Sequence, residues 1–328
     1  MSAKRSLAAL SLLAASAVVL AGCSASDAAP AETSDAAETV QVEDNSGTQT
    51  VPAAPTSVVA LDNRTFETLS DWGVELSAAA VALMPETNAY TQDESIVDIG
   101  NHREPNLELI VAAEPDLVIS GQRFSDRDAD IAALVPDAAI LQLEPREGEA
   151  FDEELRRQVT VLGEVFGKQA EAEQLVADFD AAIERAANAY DASQSVMAVT
   201  TTGGEIGYLA PSVGRTLGPV FDILGMTPAL EVEGSTDDHQ GDDISVEAIA
   251  DSNPDWILVM DRDAAVGADD PAFAPAADIL EGSEALTGVT AVQEGNLVYM
   301  PADTYTNESI QTFTEFLNGF ADALESAS

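Results

Sequence analysis

Residues 106–123 have the sequence NLELIVAAEPDLVISGQR, and residues 245–262 repeat this pattern as SVEAIADSNPDWILVMDR. Each copy begins with a residue that caps helix N-termini well, and each has a glutamate two residues later, where the helix dipole favours a carboxylate. Apolar residues at helical spacing follow, and the pattern ends at Pro115-Asp116 or Pro254-Asp255. Because proline cannot donate a hydrogen bond into a continuing helix, both copies predict a short helix that ends at this dipeptide.

Each copy continues into a short apolar run, residues 117–119 or 256–260, which predicts a buried strand. An arginine follows in both copies, Arg123 and Arg262, seven residues after the aspartate. Ligands of open α/β sheets bind at the carboxyl ends of the strands. The repeat therefore predicts two similar α/β lobes, each of which presents one arginine to a shared ligand.

Short strands and helices alternate along the rest of the chain. Strands are predicted over residues 58–61, 81–84, 135–143, 196–201 and 296–300, and helices over residues 63–72, 129–134, 217–224 and 308–324. This alternation is typical of parallel sheets built from βαβ units. The predicted fold class is therefore α/β, with two Rossmann-like lobes.

The longest helical stretch, residues 151–190, separates the two lobes. It is interrupted at Phe166-Gly167-Lys168, and its second part has one apolar face at helical spacing. A helix of about 20 residues spans roughly 30 Å, the width of a small domain. We therefore expect residues 169–191 to form a single long helix that joins an N-terminal lobe, residues 51–168, to a C-terminal lobe, residues 192–328.

Composition limits the classes of partner. The chain has 328 residues, which suggests two domains, and its 59 acidic and 13 basic residues give a formal net charge of −46 at pH 7. Such a chain repels nucleic acid and anionic lipid surfaces. The sequence has no G-x-S-x-G, H-E-x-x-H or P-loop motif, so we do not expect an enzyme.

The N-terminus predicts export. Residues 1–22 combine two basic residues with an apolar run, as in a signal peptide, and residues 20–23, Leu-Ala-Gly-Cys, resemble the lipobox of bacterial lipoproteins. Cys23 is then the lipid-modified first residue and anchors the protein to the outer face of the cell membrane. It is the only cysteine, so no intramolecular disulfide is possible. Residues 23–50 are rich in small and acidic residues and predict a disordered tether.

Several polar side chains stand in predicted loops where a ligand could reach them. Arg215 precedes the helix predicted over residues 217–224, and helix N-termini and guanidinium groups both favour anions. The two histidines, His102 and His239, each lie shortly before a copy of the repeat. Further possible ligand contacts are Arg64, Arg103, His102 and Tyr208.

The lipobox, the Pro-Asp-apolar strand in each half, the predicted connecting helix and the closing helix together resemble the siderophore-binding lipoproteins of bacterial ABC importers. The resemblance covers nearly all of residues 50–328 and is greatest to the branch that binds catecholate siderophores such as petrobactin. It implies the helical-backbone periplasmic-binding-protein fold, two lobes joined by a single long helix. It also implies a ferric siderophore as ligand, a membrane permease as partner and no intrinsic cofactor.

The resemblance also implies roles for particular residues. The three arginines that line the pocket in this branch match Arg123, Arg215 and Arg262, and the residues that complete the iron shell match Tyr305 and His239. The loop that carries His239 is one residue longer than the family pattern. The family's permease-docking glutamates match one residue in each copy of the repeat, Glu108 and Glu247.

The chemistry of the residues agrees with such a ligand. A ferric catecholate is a spread-out anion with aromatic rings, and planar guanidinium groups can bond its oxygens and stack on its rings. Phenolate and imidazole suit the two positions that a tetradentate bis-catecholate leaves open on Fe(III).

Two alternatives stay open. A haem-binding protein of the same import class could use Tyr305 with His102 as axial ligands. A hydroxamate or citrate siderophore could replace the catecholate. In every case we expect an exported monomer that captures its ligand between two lobes.

Overall fold

The computed structural model describes residues 38–327. The predicted signal peptide, Cys23 and the first part of the predicted tether lie outside the described residues. The strands are β1 (Thr39–Asp44), β2 (Gly47–Pro52), β3 (Val58–Ala60), β4 (Ala78–Ala79), β5 (Val97–Asp98), β6 (Leu117–Ser120), β7 (Ala139–Gln142), β8 (Ser195–Thr202), β9 (Glu205–Leu209), β10 (Thr227–Pro228), β11 (Trp256–Asp261) and β12 (Leu297–Tyr299). The helices are α1 (Phe66–Asp71), α2 (Leu107–Ala112), α3 (Asp128–Leu134), α4 (Phe151–Phe166), α5 (Gln169–Ala189), α6 (Gly218–Leu224), α7 (Val246–Ser252), α8 (Arg262–Val266), α9 (Ala276–Glu281), α10 (Thr290–Glu294) and α11 (Ile310–Ala327).

The first lobe is built on a parallel sheet with strand order β5-β4-β3-β6-β7. β6 lies beside β3, with Leu117 opposite Val58, and all four of its residues are buried. The strand expected over residues 81–84 is wrong, because this segment is a 3₁₀ turn, Val81–Leu83, and the strand lies earlier, at β4. The two small alanines of β4 are fully buried between β3 and β5.

The second lobe repeats this plan with the parallel order β10-β8-β11-β12, and β9 pairs antiparallel with β8. Side chains alternate between the two faces of this sheet, as strand geometry requires. Val196 and Ala198 pack in one core with α5, α6 and α11, whereas Met197 and Val199 pack in another with α7, α9 and α10. The predicted α/β class with two parallel-sheet lobes is therefore confirmed.

Helix α4 contributes buried residues to the cores of both lobes. Its residues Leu155 and Val159 belong to the core of the second lobe, and its residues Val161, Leu162 and Val165 belong to the core of the first. The buried residues of α5 all belong to the second lobe, which corrects the expectation that residues 169–191 join the lobes.

The two helices separate at Gly167, whose φ of +66° closes α4 with a left-handed cap. Gly163 then lets α5 lie close against α4, since a Cβ at this position would be 2.7 Å from Cβ of Ala172. α5 therefore folds back onto the second lobe, whereas α4 passes from one core to the other.

Residues 39–52 form a β-hairpin, where the sequence pattern predicted part of a disordered tether. Val42 and Val51 are buried in the core of the first lobe, and Val40 packs against it, so the hairpin is part of this lobe. Asp44 is also buried, and its carboxylate accepts a hydrogen bond from the backbone nitrogen of Gln142 at the end of β7, at 3.0 Å. Within residues 38–327, none of the helices combines the length and the apolar character needed to cross a bilayer.

Candidate functional site

The repeated stretch forms the same local structure in both lobes. Asn106 caps α2 through a hydrogen bond from the backbone nitrogen of Glu108, and Ser245 caps α7 through one from Ala248. After each helix, the residue directly before the proline has a positive φ, Glu114 at +46° and Asn253 at +45°. The predicted sequence of helix, turn and buried strand is thus confirmed in both copies.

The aspartate after each proline connects the strand of the repeat to its neighbour. Asp116 accepts a hydrogen bond of 2.8 Å from the backbone nitrogen of Thr56, just before β3. Asp255 accepts one of 2.7 Å from the backbone nitrogen of Ser195, the first residue of β8. These bonds set the register of β6 on β3 and of β11 on β8, so the two strands deliver Arg123 and Arg262 at equivalent sheet edges.

Three arginines converge on the ring of Tyr305. The Cζ atoms of Arg123, Arg215 and Arg262 lie 5.3, 5.0 and 4.6 Å from the ring centroid, within the range of cation–π contacts. Tyr305 stands in the 3₁₀ turn Thr304–Thr306 between β12 and α11, and it is buried. Nη2 of Arg123 also donates to the backbone oxygen of Tyr305, at 3.3 Å, so the first lobe contacts the second at this ring.

The charges around Tyr305 change its acidity. Burial raises the pKa of the Tyr305 phenol, but a hydrogen bond from Arg262 and the positive charges of Arg215, Arg262 and Arg123 lower it, and the pKa ends below its ordinary value. A phenol with a lowered pKa loses its proton more readily, and a phenolate is a hard oxygen ligand of the kind that suits Fe(III).

Close backbone packing positions Arg215. A Cβ at Gly214 would be 2.5 Å from the backbone nitrogen of Ala210, and one at Gly218 would be 2.6 Å from its oxygen, so only glycine fits at both positions. The loop is therefore wound tightly against the end of β9. Thr216 adopts a φ of +66°, which is unfavourable for a β-branched residue.

Glu308 is a site residue that the sequence analysis missed. Its side chain is 1% exposed, and it pairs with Arg64 of the first lobe at 3.1 Å and with Arg215 of the second at 3.2 Å. The hydroxyl of Thr216 donates to it at 2.6 Å. Burial alone would raise the pKa of Glu308. The charges of Arg215 and Arg64 and the hydrogen bond from the Thr216 hydroxyl have a larger effect in the opposite direction, and they lower the pKa to about 2. In the sequence this residue could be recognised only as the start of the closing helix.

Both histidines reach the same cavity. The cavity has a volume of about 320 Å³, and its walls come from both lobes: His102, Arg103, Gln122, Arg123, Asp126, Arg215, His239 and Tyr305. Burial and the charges of Arg123 and Arg103 lower the pKa of His102, which favours the neutral imidazole. Gln122 and Asp126 were not predicted, although they flank Arg123 in the loop after β6.

The loop of His239 is held in place by backbone contacts. Tyr208 and Asp242 exchange two backbone hydrogen bonds, of 2.9 and 2.8 Å. A Cβ at Gly207 would be 2.0 Å from the backbone oxygen of Gln240, so this approach requires glycine. The loop is thereby fixed against β9, and His239 lies at the cavity with its side chain 43% exposed.

Three residues that were predicted to contact the ligand do not line the cavity that contains the histidines. Tyr208 is 1% exposed, and its hydroxyl donates to the backbone oxygen of Leu230 at 2.5 Å, so the expectation that it faces the ligand is wrong. Strand alternation in β9 directs its ring into the core of the second lobe. Arg64 lines a neighbouring cavity of about 190 Å³ but is paired with Glu308. Arg262 contacts the ring of Tyr305 without lining the larger cavity.

Glu108 and Glu247 are both exposed in the first turns of their helices. Among residues 38–327, no three histidine, cysteine or carboxylate side chains come together as a metal-binding group.

This fold and site define a binding protein of two α/β lobes, with an arginine-lined cavity between them. The chain belongs to the periplasmic binding protein family, whose sequence model matches residues 58–304. It is 24% identical to the petrobactin-binding protein of Bacillus subtilis over 288 residues, which cover 86% of each protein. It is 28% identical to the ferric-anguibactin-binding protein of Vibrio anguillarum over 259 residues, 78% of this chain and 79% of the relative.

Solved structures share the fold. The petrobactin-binding protein of Bacillus subtilis superimposes with a TM-score of 0.74 at 21% identity, over 88% of this chain and 99% of the other. The catecholate-siderophore-binding protein of Vibrio cholerae gives the same TM-score and identity, over 88% of this chain and 100% of the other.

Proposed function

We propose that this protein is the substrate-binding component of an ABC importer. It captures a ferric siderophore of the catecholate type between its lobes and delivers it to a membrane permease for iron uptake. The observation that carries this proposal is the convergence of three guanidinium groups on one buried tyrosine at an interlobe cavity. The names of two relatives, a petrobactin-binding and a ferric-anguibactin-binding protein, support the same class of ligand.

The cavity residues suit an anionic iron complex. Arg123 and Arg215 line the cavity and can donate hydrogen bonds to catecholate oxygens. Such hydrogen bonds are stronger when both the donor and the acceptor are charged. Tyr305, whose lowered pKa favours loss of the phenol proton to a bound metal, is one candidate donor, and the imidazoles of His239 and His102 are the others. Iron is the cargo in this proposal, and the protein needs no cofactor of its own.

Haem is a second candidate ligand. His102 comes from the first lobe and Tyr305 from the second, and both line the same cavity. Axial ligation from both faces of a haem needs one ligand from each lobe, and these two residues would be the candidates. Citrate complexes of iron are a third candidate ligand, since two further relatives are named as ferric citrate binders.

A titration separates these ligands. The soluble fragment 24–328 contains every described residue, and its tryptophan and tyrosine fluorescence is measured against a ferric bis-catecholate, ferric citrate and haemin. We expect the catecholate to bind most tightly and to give a charge-transfer band that changes in Tyr305→Phe. Tight binding of haemin without a response to catecholate would contradict the proposal.

A charge-matched pair of variants tests the arginines. Arg123→Gln should weaken catecholate binding by about tenfold or more, because a hydrogen bond between charged groups contributes roughly 1.5–3 kcal/mol. Arg185→Gln removes the same charge from a surface pair with Asp322 and Glu325 and should leave the affinity nearly unchanged. Equal effects of the two variants would mean that only net charge matters.

A further inference from the structure

A row of polar contacts joins α1 of the first lobe to the start of α11 in the second. Glu67 accepts hydrogen bonds from Asn307 and Ser309, and Thr68 donates to Gln311 at 3.0 Å. Arg64, just before α1, pairs with Glu308. We call these residues, 64, 67, 68, 307–309 and 311, the interlobe seam. Of the seam residues, Glu308 is the one bonded to Arg215 of the cavity.

Glu308 engages one edge of Arg215. Its two carboxylate oxygens accept from Nε at 3.3 Å and from Nη2 at 3.2 Å, which fixes the plane of the guanidinium. Nη2 also donates to Gln122 of the first lobe, at 3.4 Å. Within residues 38–327, the hydrogen bonds of Arg215 come from Nε and Nη2, which leaves Nη1 for another acceptor. Asp237 is another carboxylate whose charge raises the pKa of Arg215, and it lines the neighbouring cavity.

The pairing of Glu308 with Arg215 offsets repulsion among the arginines around Tyr305. Arg123, Arg215 and Arg262 surround one ring, and like charges this close repel each other in a partly buried site. The charge of Glu308 raises the pKa of Arg215, in agreement with a close pairing. The hydroxyl of Thr216 completes the contact, although its backbone conformation is unfavourable.

We infer that Glu308 is a positioning residue: by pairing with Arg64 across the cleft, it holds Arg215 against Tyr305 with Nη1 directed to an anionic ligand. This inference rests on the proposed function for the nature of the ligand. It differs from a role as counter-ion, in which Glu308 would only neutralise excess charge in the cavity.

The two roles predict opposite signs for Glu308→Gln. If Glu308 positions Arg215, the variant should bind the ferric bis-catecholate about tenfold or more weakly, because Arg215 moves away from the other guanidinium groups. If it is only a counter-ion, the cavity becomes more positive and binding becomes tighter. Unchanged or tighter binding would overturn the inference.

A second readout needs no siderophore. The phenolate absorbance of Tyr305 is followed against pH, with the corresponding Tyr305→Phe protein subtracted in each background. Departure of Arg215 should raise the pKa of Tyr305 in Glu308→Gln, whereas loss of the carboxylate with Arg215 in place should lower it. If the wild-type protein fails to bind the catecholate, the proposed function is wrong, and this titration still decides the role of Glu308.

Matched variants control for charge and folding. Glu315→Gln removes one charge from an exposed position of α11 and should change neither readout. If Glu308→Gln does not fold, Thr216→Ala removes only the hydroxyl bond to Glu308 and should weaken binding roughly threefold, while Thr216→Ser retains it. Equal affinities of these two Thr216 variants would overturn the inference.

Discussion

Three guanidinium groups can lie against the ring of Tyr305 because other groups offset their mutual repulsion. Each contact with the ring contributes about 0.5–2 kcal/mol, depending on its desolvation. The buried carboxylate of Glu308 balances one charge, and Arg123 also donates to the backbone of Tyr305. A buried charge that loses its partner is strongly destabilising, so these side chains depend on one another.

The acidity of Glu308 gives a prediction for stability against pH. Its pKa is depressed in the folded protein from 4.5 to about 2, so its stabilising contribution is present above pH 4.5 and is lost as the pH falls toward 2. At 1.36 kcal/mol per pKa unit, this contribution is on the order of 3 kcal/mol. Urea unfolding between pH 6 and pH 2 should therefore show a steeper loss of stability in the wild-type protein than in Glu308→Gln.

The comparison with Glu308→Gln is needed because other carboxylates work in the opposite direction. Burial raises the pKa of Asp62, Asp128 and Glu144, so each of these groups stabilises the fold more at low pH. The difference between wild type and variant removes the contributions of Asp128 and Glu144, whereas the charge of Glu308 itself adds to the raised pKa of Asp62 and that part is lost in the variant. Parallel curves for the two proteins would contradict a depressed pKa of Glu308 in the folded protein.

At the scale of elements, the two copies of the repeat differ at the residue before proline. Both residues have positive φ, but Asn253 is a residue type that tolerates this conformation, whereas Glu114 is not. Asn253 also accepts a hydrogen bond from the backbone nitrogen of Thr290, at 2.9 Å. The first lobe therefore carries local strain that the second lobe avoids.

Replacing Glu114 with the residue of the second copy should relieve this strain. We expect Glu114→Asn to raise the free energy of unfolding by about 1 kcal/mol, since the left-handed conformation costs other residues roughly 1–2 kcal/mol. Glu114→Ala removes the same exposed carboxylate but keeps the strain, and it should show no such gain. Urea unfolding of the three proteins measures the difference, and equal gains for both variants would point to charge instead.

The elements predicted from sequence were those with strong local signals. The Pro-Asp dipeptide ends α2 and α7 by covalent geometry, and the apolar run after it forms β6 and β11 in both lobes. Helix α5 was also predicted from the sequence, but the lobe on which it packs was not. The apolar face of a helix shows that it packs on something, and only the cores show that α5 packs on the second lobe alone.

At the scale of the whole molecule, the repeat places an exposed glutamate on the corresponding helix of each lobe. We propose that Glu108 and Glu247 dock onto basic residues of the permease, one from each lobe. The double variant Glu108→Gln with Glu247→Gln should keep its affinity for the ferric complex within about twofold, since both side chains are exposed on the repeat helices and do not line the cavity. Its ability to stimulate ATP hydrolysis by the permease in proteoliposomes should fall by about tenfold or more.

One control variant separates docking from net charge, and a further variant tests the membrane anchor. Glu205→Gln with Glu315→Gln removes the same number of charges from other exposed positions and should stimulate the permease normally. Cys23→Ala tests the lipid anchor that the lipobox predicts, and this variant should retain binding but require a higher protein concentration for the same stimulation. Normal stimulation by the Glu108 and Glu247 variant would exclude these residues from docking.

Features that depend on near neighbours in the chain could be predicted from the amino-acid sequence: two α/β lobes, the duplicated helix–strand unit, and the arginines at matching strand ends. The tertiary structure decided which side chains meet across the cleft. Glu308 and Arg64 are far apart in sequence, and no local pattern relates them, yet they form a buried pair at 3.1 Å. The same applies to α4 as the helix between the cores and to Tyr208 as a core residue, because burial depends on the packing of distant segments.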